Sequence, residues 1–206
     1  MLKRRMGIFG GTFNPLHLGH LVAAQDASEH FELSRVLFVP CDRPPHKPSH
    51  NLAPSAHRVA MLEAALEGSH VFEVCDLEVR RGGTNYSFDT VRELKRLYPD
   101  QELVFIIGSD TLFELHSWHA IADLLQLCEF TTLVRPGFDV SEAAGRVKLP
   151  PPWPERLLAR LAMGHLMNIS SSDIRYRVAE GMSIQYLVPR VVETYITEHR
   201  LYNNTI

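Results

Sequence analysis

Two histidines three residues apart, His17 and His20, follow a glycine pair in the stretch Gly10-Gly11-Thr12-Phe13-Asn14-Pro15-Leu16-His17-Leu18-Gly19-His20. On a helix that spacing puts both imidazoles on one face of a single turn. Imidazoles donate hydrogen bonds to phosphate oxygens, more strongly when protonated. Glycines behind a strand let backbone N–H groups come close to a phosphate, and a helix start adds free N–H groups and partial positive charge. Gly19, between the histidines, leaves space for a nucleotide to lie against the helix. The chemistry encoded is anion binding, with nucleotide phosphates as candidate ligands. A simple turn and a surface histidine pair are the plainer readings of either feature alone. The dinucleotide fingerprint G-x-G-x-x-G is not met, because the glycines stand as G-x-x-G-G with Pro15 close behind. The lysine of an ATPase P-loop is missing from the helix start, and the histidine pair has no evident third protein ligand for a metal.

A second constellation is Ile169-Ser170-Ser171-Ser172-Asp173-Ile174-Arg175. Serines before a helix serve as N-caps, yet an arginine one turn further on would turn the same helix start into a second anion site. Gly108-Ser109-Asp110 follows an apolar run; its glycine permits close backbone approach, and its carboxylate accepts hydrogen bonds from hydroxyls or caps a helix. Trp118, followed by His119, is either core or a stacking surface for an aromatic ring. Pro44-Pro45-His46-Lys47 is a stiff basic loop that suits an acceptor phosphate, although an exposed basic loop is its commoner meaning, and Asn85-Tyr86-Ser87-Phe88-Asp89-Thr90 precedes a helix.

These residues must be positioned by the elements between them. Short apolar runs at Met6–Phe9, Val36–Val39, Val71–Val74, Leu103–Ile107 and Phe130–Val134 read as strands. Helical spacing marks His17–Phe31, Ala56–Leu66, Asp89–Leu97, Ile121–Leu127, Ser170–Glu180 and Arg190–Glu198. Strands apolar on both faces, alternating with helices, predict an α/β doubly wound parallel sheet, Rossmann-like, with a small C-terminal helical appendage. Ligands of such sheets bind beyond the carboxyl ends of the strands, and the loops after Phe9, Val39 and Ile107 leave from that edge. The economical division is a single domain over 1–206, with an α/β core to about 149 and a helical part over about 150–206. The proline-rich stretch Pro136–Pro154 reads as a linker or irregular excursion without an assigned role.

The 206 residues are 45% apolar and 22% charged, with a formal net charge of -3. That balance fits a globular chain and recruits neither nucleic acid nor an anionic membrane, so any phosphate binding must be local. Cys41, Cys75 and Cys128 are odd in number and scattered, which argues against a disulfide framework and against a structural zinc. No apolar stretch reaches transmembrane length, and glycines and Pro15 break the run behind Lys3, Arg4 and Arg5, so a cytoplasmic enzyme is expected. A homo-oligomer is compatible with the sequence.

Taken in order, GGTFNPLHLGH, PPHK, NYSFDT, FIIGSDTL with SWH, LVRPG and ISSSDIRYRVAEGMSIQYLVPRVVETYI resemble the H-x-G-H nucleotidyltransferases, and among them the bacterial nicotinate-nucleotide adenylyltransferases. The resemblance runs from Gly7 to about Ile196. Asn14 stands where that family often has aspartate, and Asn85-Tyr86-Ser87 stands for a usual Ser-Tyr-Thr. It implies transfer of AMP from ATP to nicotinate mononucleotide, giving deamido-NAD and pyrophosphate, with Mg2+ bound through the ATP phosphates. By the same resemblance His17 and His20 are catalytic. Gly10, Gly11, Thr12, Gly108, Asp110, Ser171, Ser172 and Arg175 bind ATP, with Asp110 on the ribose. Lys47, Ser87, Trp118 and His119 bind the acceptor, with Trp118 stacked on the pyridine ring. A sister transferase acting on phosphopantetheine and a non-catalytic nucleotide-binding module are the rival readings. The first would lack the Trp118 region and the PPHK loop, and the second would not need His17, His20 and Arg175 intact.

Overall fold

The structure is a computed structural model that describes residues 4–43, 52–134, 138–139, 143, 145–165 and 167–203. Six strands form one sheet: β1 (Arg5–Gly11), β2 (Leu33–Pro40), β3 (Phe72–Val74), β4 (Glu102–Gly108), β5 (Glu129–Val134) and β6 (Leu161–Met163). Their order is β3-β2-β1-β4-β5-β6. The chain builds outward from β1 to β3, then returns to lay β4 against β1 on the other side. This is the doubly wound order, and its switch point lies between β1 and β4. β1 and β4 are parallel with Ile8 opposite Phe105, and β4 and β5 are parallel with Gly108 opposite Leu133. The glycine ends of β1 and β4 therefore leave from the same edge of the sheet.

Each strand is apolar for a reason the sheet makes plain. Leu103 to Ile107 of β4 are buried without alternation, as are Val36 to Val39 of β2, because helices cover both faces. The helices are α1 (Leu18–His30), α2 (Ser55–Leu66), α3 (Leu77–Arg81), α4 (Ser87–Leu97), α5 (Ser109–Leu112), α6 (Ile121–Leu127), α7 (Trp153–Leu158), α8 (Ser171–Ala179) and α9 (Arg190–Glu198). In α4 the buried stripe is Thr90, Val91 and Leu94, while Asp89 in the first turn and Lys95 and Arg96 in the last complement the helix dipole. Among the described residues no helix is long and apolar enough to cross a membrane.

The chain divides into two compact units, each assembled from separate stretches. The first comprises Met1–Gly10, Ala23–Leu37 and Tyr86–Leu166; the second comprises Gly11–Val22, Phe38–Asn85 and Met167–Ile206. These units do not coincide with the expected boundary near residue 150. α7 and β6 belong to the first unit, and β6 extends the sheet by pairing Leu133 with Ala162. The sequence reading missed β6 because a three-residue strand with one buried side chain has no readable period; its pairing with β5 makes it a strand. The excursion before it also packs: Ala143 and Val147 are buried, and Phe138 stacks on Phe113.

In the second unit α8 and α9 fold back on α2. Met61, Ile174, Ile184, Val188, Val192 and Ile196 form one buried cluster there. Ile174 is fully buried, so Ile174→Ala should remove about 2–5 kcal/mol of stability. A urea titration at unchanged m value measures this, and a loss below about 1 kcal/mol would contradict the packing described.

Candidate functional site

The second unit holds the histidine pair. β1 runs through both glycines, and the Gly11 carbonyl accepts from the Cys41 N–H at 3.1 Å. A Cβ on Gly11 would lie 3.0–3.2 Å from the Phe13 ring, so glycine is needed for that ring to fold back. Phe13 has a φ of +48° and is 2% exposed, a left-handed conformation that a bulky residue keeps only when its surroundings enforce it. Its ring meets the His20 imidazole edge-on at 5.1 Å.

His17 caps α1. Its carbonyl accepts from the His20 N–H at 2.9 Å, and its own N–H donates to His20 Nδ1 at 3.3 Å. The second bond is the return half of a capping box, with an imidazole where glutamate is usual. The bond is long; with Nδ1 accepting it, the proton of a neutral His20 ring sits on Nε2. The two imidazoles stack at 3.6 Å with 23° between planes. A Cβ on Gly19 would lie 3.1 Å from His17 Nδ1. The space over Gly19, expected to receive a nucleotide, is thus needed first by the His17 ring.

The serine run divides its labour. Ser170 is the N-cap of α8 and accepts from the Asp173 N–H at 3.1 Å. The Ser171 hydroxyl donates to the Pro15 carbonyl at 3.0 Å, so its proton is committed to the turn and its backbone N–H is what it offers an anion. Arg175 donates from Nη1 to the Asn14 carbonyl at 2.8 Å and from Nη2 to the exposed Ser172 hydroxyl at 3.3 Å. The turn carrying the glycines and the start of α8 are therefore joined by two direct bonds. Burial draws the Arg175 pKa downward, opposed by Tyr202, but a guanidinium keeps its charge.

Two residues that hold this arrangement were not singled out from sequence. Arg58, fully buried on α2, donates from Nε to the Ala53 carbonyl at 2.9 Å and from Nη1 to those of Thr12 and Cys41, both at 2.7 Å. Its Nη2 donates to the Asp42 carbonyl at 2.8 Å. Burial lowers its pKa, with Cys41, Tyr202 and Asp42 opposing. Tyr202 donates to Asn14 Oδ1 at 2.9 Å. A buried arginine on a helix face otherwise spaced for the core is a departure that sequence could have flagged.

The first unit holds Ser87, Gly108, Asp110, Trp118 and His119. Gly108 ends β4 and caps α5, and Asp110 is exposed in the first turn. Trp118, half-buried, sets its ring edge-on to Phe105 at 5.7 Å and near Phe130 at 6.4 Å. His119 is exposed and lies against the Tyr86 ring at 4.5 Å, which brings the Trp118-His119 segment to the start of α4, where Ser87 is the first residue. The Ser87 N–H is one of those a helix leaves unused. Tyr86 is a further member of this group. Asn85 is buried and donates to the Glu78 and Gly83 carbonyls, both at 3.1 Å, shaping the turn before it. Lys47, with Pro44, Pro45 and His46, lies outside the described residues, as do Arg135, Pro136 and Gly137. Among the described residues no three His, Cys, Asp or Glu side chains stand together as a metal site.

A cleft of about 160 Å³ opens at the opposite edge of the sheet, beside Glu102 and Glu129 at the starts of β4 and β5. Those carboxylates are already paired: Arg5 lies 3.6 Å from Glu102 and 2.9 Å from Glu129, and Arg160 also binds Glu129. Cys128 beside them is pushed up to about 12 by burial, so its thiol stays protonated.

The cytidylyltransferase-like family model matches residues 8–177. A probable nicotinate-nucleotide adenylyltransferase of Thermomicrobium roseum is 44% identical over 198 residues, covering 96% of this chain and 91% of that protein. One of Desulfitobacterium hafniense is 43% identical over 200 residues, 97% and 96% of the two chains. The structure of Plasmodium falciparum nicotinic acid mononucleotide adenylyltransferase complexed with NaAD superposes with a TM-score of 0.75 at 20% identity, covering 97% and 98%. A putative nicotinate-nucleotide adenylyltransferase of Vibrio parahaemolyticus gives 0.70 at 20% identity, covering 98% of this chain and 97% of that one.

Arg58→Met removes all the Arg58 donors to the four carbonyls while keeping an unbranched side chain out to the position of Nε. Each buried carbonyl left unpaired costs about 1–3 kcal/mol, so the variant should lose at least about 3 kcal/mol. Thermal and chemical unfolding read this; a variant as stable as the parent would show that the network does not hold the turn.

Proposed function

Because this chain belongs to the family of nicotinate-nucleotide adenylyltransferases, we propose that it transfers AMP from MgATP to nicotinate mononucleotide, forming deamido-NAD for NAD biosynthesis. The observation that supports this best is the stacked His17–His20 pair, in which the bond from the His17 N–H to His20 Nδ1 leaves Nε2 as the donor. An acceptor phosphate oxygen attacks the α-phosphorus, the bond to the bridging oxygen breaks, and pyrophosphate leaves with the magnesium that arrived on ATP. The attacking phosphate is already an anion, so no base and no covalent enzyme intermediate are needed. Catalysis is then positioning and charge stabilisation.

In this reading the phosphate roles fall to residues of the second unit, together with Gly10 of the first. His20 Nε2 and His17 steady the charge growing on the α-phosphoryl, backbone groups of Gly10, Gly11 and Thr12 line the approach, and Ser171, Ser172 and Arg175 take the β- and γ-phosphates. The magnesium is part of the MgATP substrate. The adenosine and pyridine roles fall to residues of the first unit. Gly108 and Asp110 meet the adenosine, Trp118 stacks on the pyridine, and backbone N–H groups of Ser87 and His119 meet its carboxylate. Lys47 is the proposed contact of the acceptor phosphate. A carboxylate suits paired N–H donors, whereas an amide would turn its own N–H against one of them, which favours nicotinate over nicotinamide. The cytoplasm is the proposed location.

Pyrophosphate release is the test, with MgATP and nicotinate mononucleotide, nicotinamide mononucleotide or phosphopantetheine supplied separately. Release with nicotinate mononucleotide well above the others is expected. Preference for another acceptor would keep adenylyl transfer and discard the roles of Trp118 and Ser87. Release with none, from folded protein that binds ATP, would favour a binding module. His20→Ala should lower kcat by about 10²–10³-fold with KM little changed, since its bond strengthens in the transition state. An effect confined to KM would remove His20 from catalysis.

A further inference from the structure

Resting on the phosphate role given to Arg175, we propose that Tyr202 is a positioning residue for adenylyl transfer: its hydroxyl locks Asn14, whose carbonyl aims the Arg175 guanidinium. Asn14 is 6% exposed, and its Oδ1 accepts two hydrogen bonds, from Tyr202 at 2.9 Å and from the Ala53 N–H at 3.0 Å. Its carbonyl accepts from Arg175 Nη1 at 2.8 Å. Asn14 thus receives donors from three distant parts of the chain: residues 53 and 202 on its side-chain oxygen and residue 175 on its backbone carbonyl.

The guanidinium depends on that carbonyl more than on anything else nearby. Arg175 Nε is buried and makes no hydrogen bond among the described residues, and the bond from Nη2 to Ser172 is the longer one at 3.3 Å. If Asn14 rotates or shifts, the best anchor of Arg175 moves with it. The neighbouring Pro15 carbonyl, which receives Ser171, would shift too.

Tyr202 is built to hold one orientation. It follows α9 with a φ of +65°, after Arg200 at +50°, left-handed values that side chains of this size keep only under constraint. It packs against the buried cluster of α2, α8 and α9. Burial raises the phenol above its ordinary pKa, outweighing the opposing pull of Arg175 and Arg58, so the hydroxyl stays a donor at neutral pH. The segment after α9 therefore reaches the glycine-rich turn through a bond that no local sequence pattern encodes.

Tyr202→Phe removes the hydroxyl and keeps the ring. Steady-state kinetics with each substrate varied separately, beside a thermal melt, form the test. The KM for MgATP is expected to rise about five- to tenfold, as for loss of one ordering hydrogen bond, while the KM for nicotinate mononucleotide stays within about twofold. Asn14→Ala should show a larger change of the same kind, and Asn14→Asp, which keeps the acceptor, should recover most of it. An unchanged KM for MgATP in Tyr202→Phe would overturn the inference. So would equal changes for both substrates, or an activity loss that only tracks the melting temperature, because a purely structural role predicts those. The parent protein is assayed first: if it releases no pyrophosphate from this substrate pair, the proposed function itself falls, and this inference with it.

Discussion

The guanidinium of Arg58 is the constraint on which the unit carrying the histidine pair rests. A buried cation is expensive unless it is well hydrogen-bonded, and here each guanidinium nitrogen donates to at least one of the carbonyls of Thr12, Cys41, Asp42 and Ala53. Each is a loop carbonyl with no ladder to join, so arginine and loops satisfy one another. The result ties the turn after β1, the loop after β2 and the start of α2 to a single planar group. Lysine could not do this, because a point ammonium lacks the fork that reaches several directions at once.

On that support the site accumulates in layers. Gly11 lets the Phe13 ring fold back, Phe13 backs His20, and the His20 Nδ1 takes the cap of α1, so the donor on Nε2 is a consequence of packing. Gly19 lacks a side chain because the His17 ring needs that room. From the other side, α8 grips the same turn through Ser171 and Arg175. The glycine-rich turn is therefore clasped from α2, α8 and the segment after α9, and each clasp ends on a backbone carbonyl or the buried Asn14 amide. Catalysis by positioning requires such rigidity, since donors must already point where charge will grow.

The first unit supplies a different chemistry from a similar economy. Phe105 and Phe130 hold the Trp118 ring edge-on, leaving it half-buried, and the tilted contact of Tyr86 with His119 brings the start of α4 beside it. An aromatic surface next to the unused N–H groups of a helix start is suited to a flat, negatively charged ring. The cleft at the far edge of the sheet contrasts with this, because its carboxylates are already neutralised by Arg5 and Arg160.

Much of this was legible in the sequence. Doubly apolar strands such as Leu103–Ile107 and helices such as Ile121–Leu127 declare themselves locally, because burial on both faces or on one stripe dictates residue type along a continuous segment. The motifs around His17, Ser171 and Gly108 did so too, since a strand end, a helix start and a few side chains are set by neighbours in the chain. Tertiary structure alone decided what lies far apart in sequence. It chose the carbonyl partners of Arg58, the bond from Tyr202 to Asn14 across 188 residues, and the addition of β6 to the sheet. It also made Ser170 the cap and committed the Ser171 hydroxyl to Pro15. Periodicity records which face of an element is buried; it carries no record of which distant carbonyl a buried donor will find, because that is fixed only when the chain closes on itself.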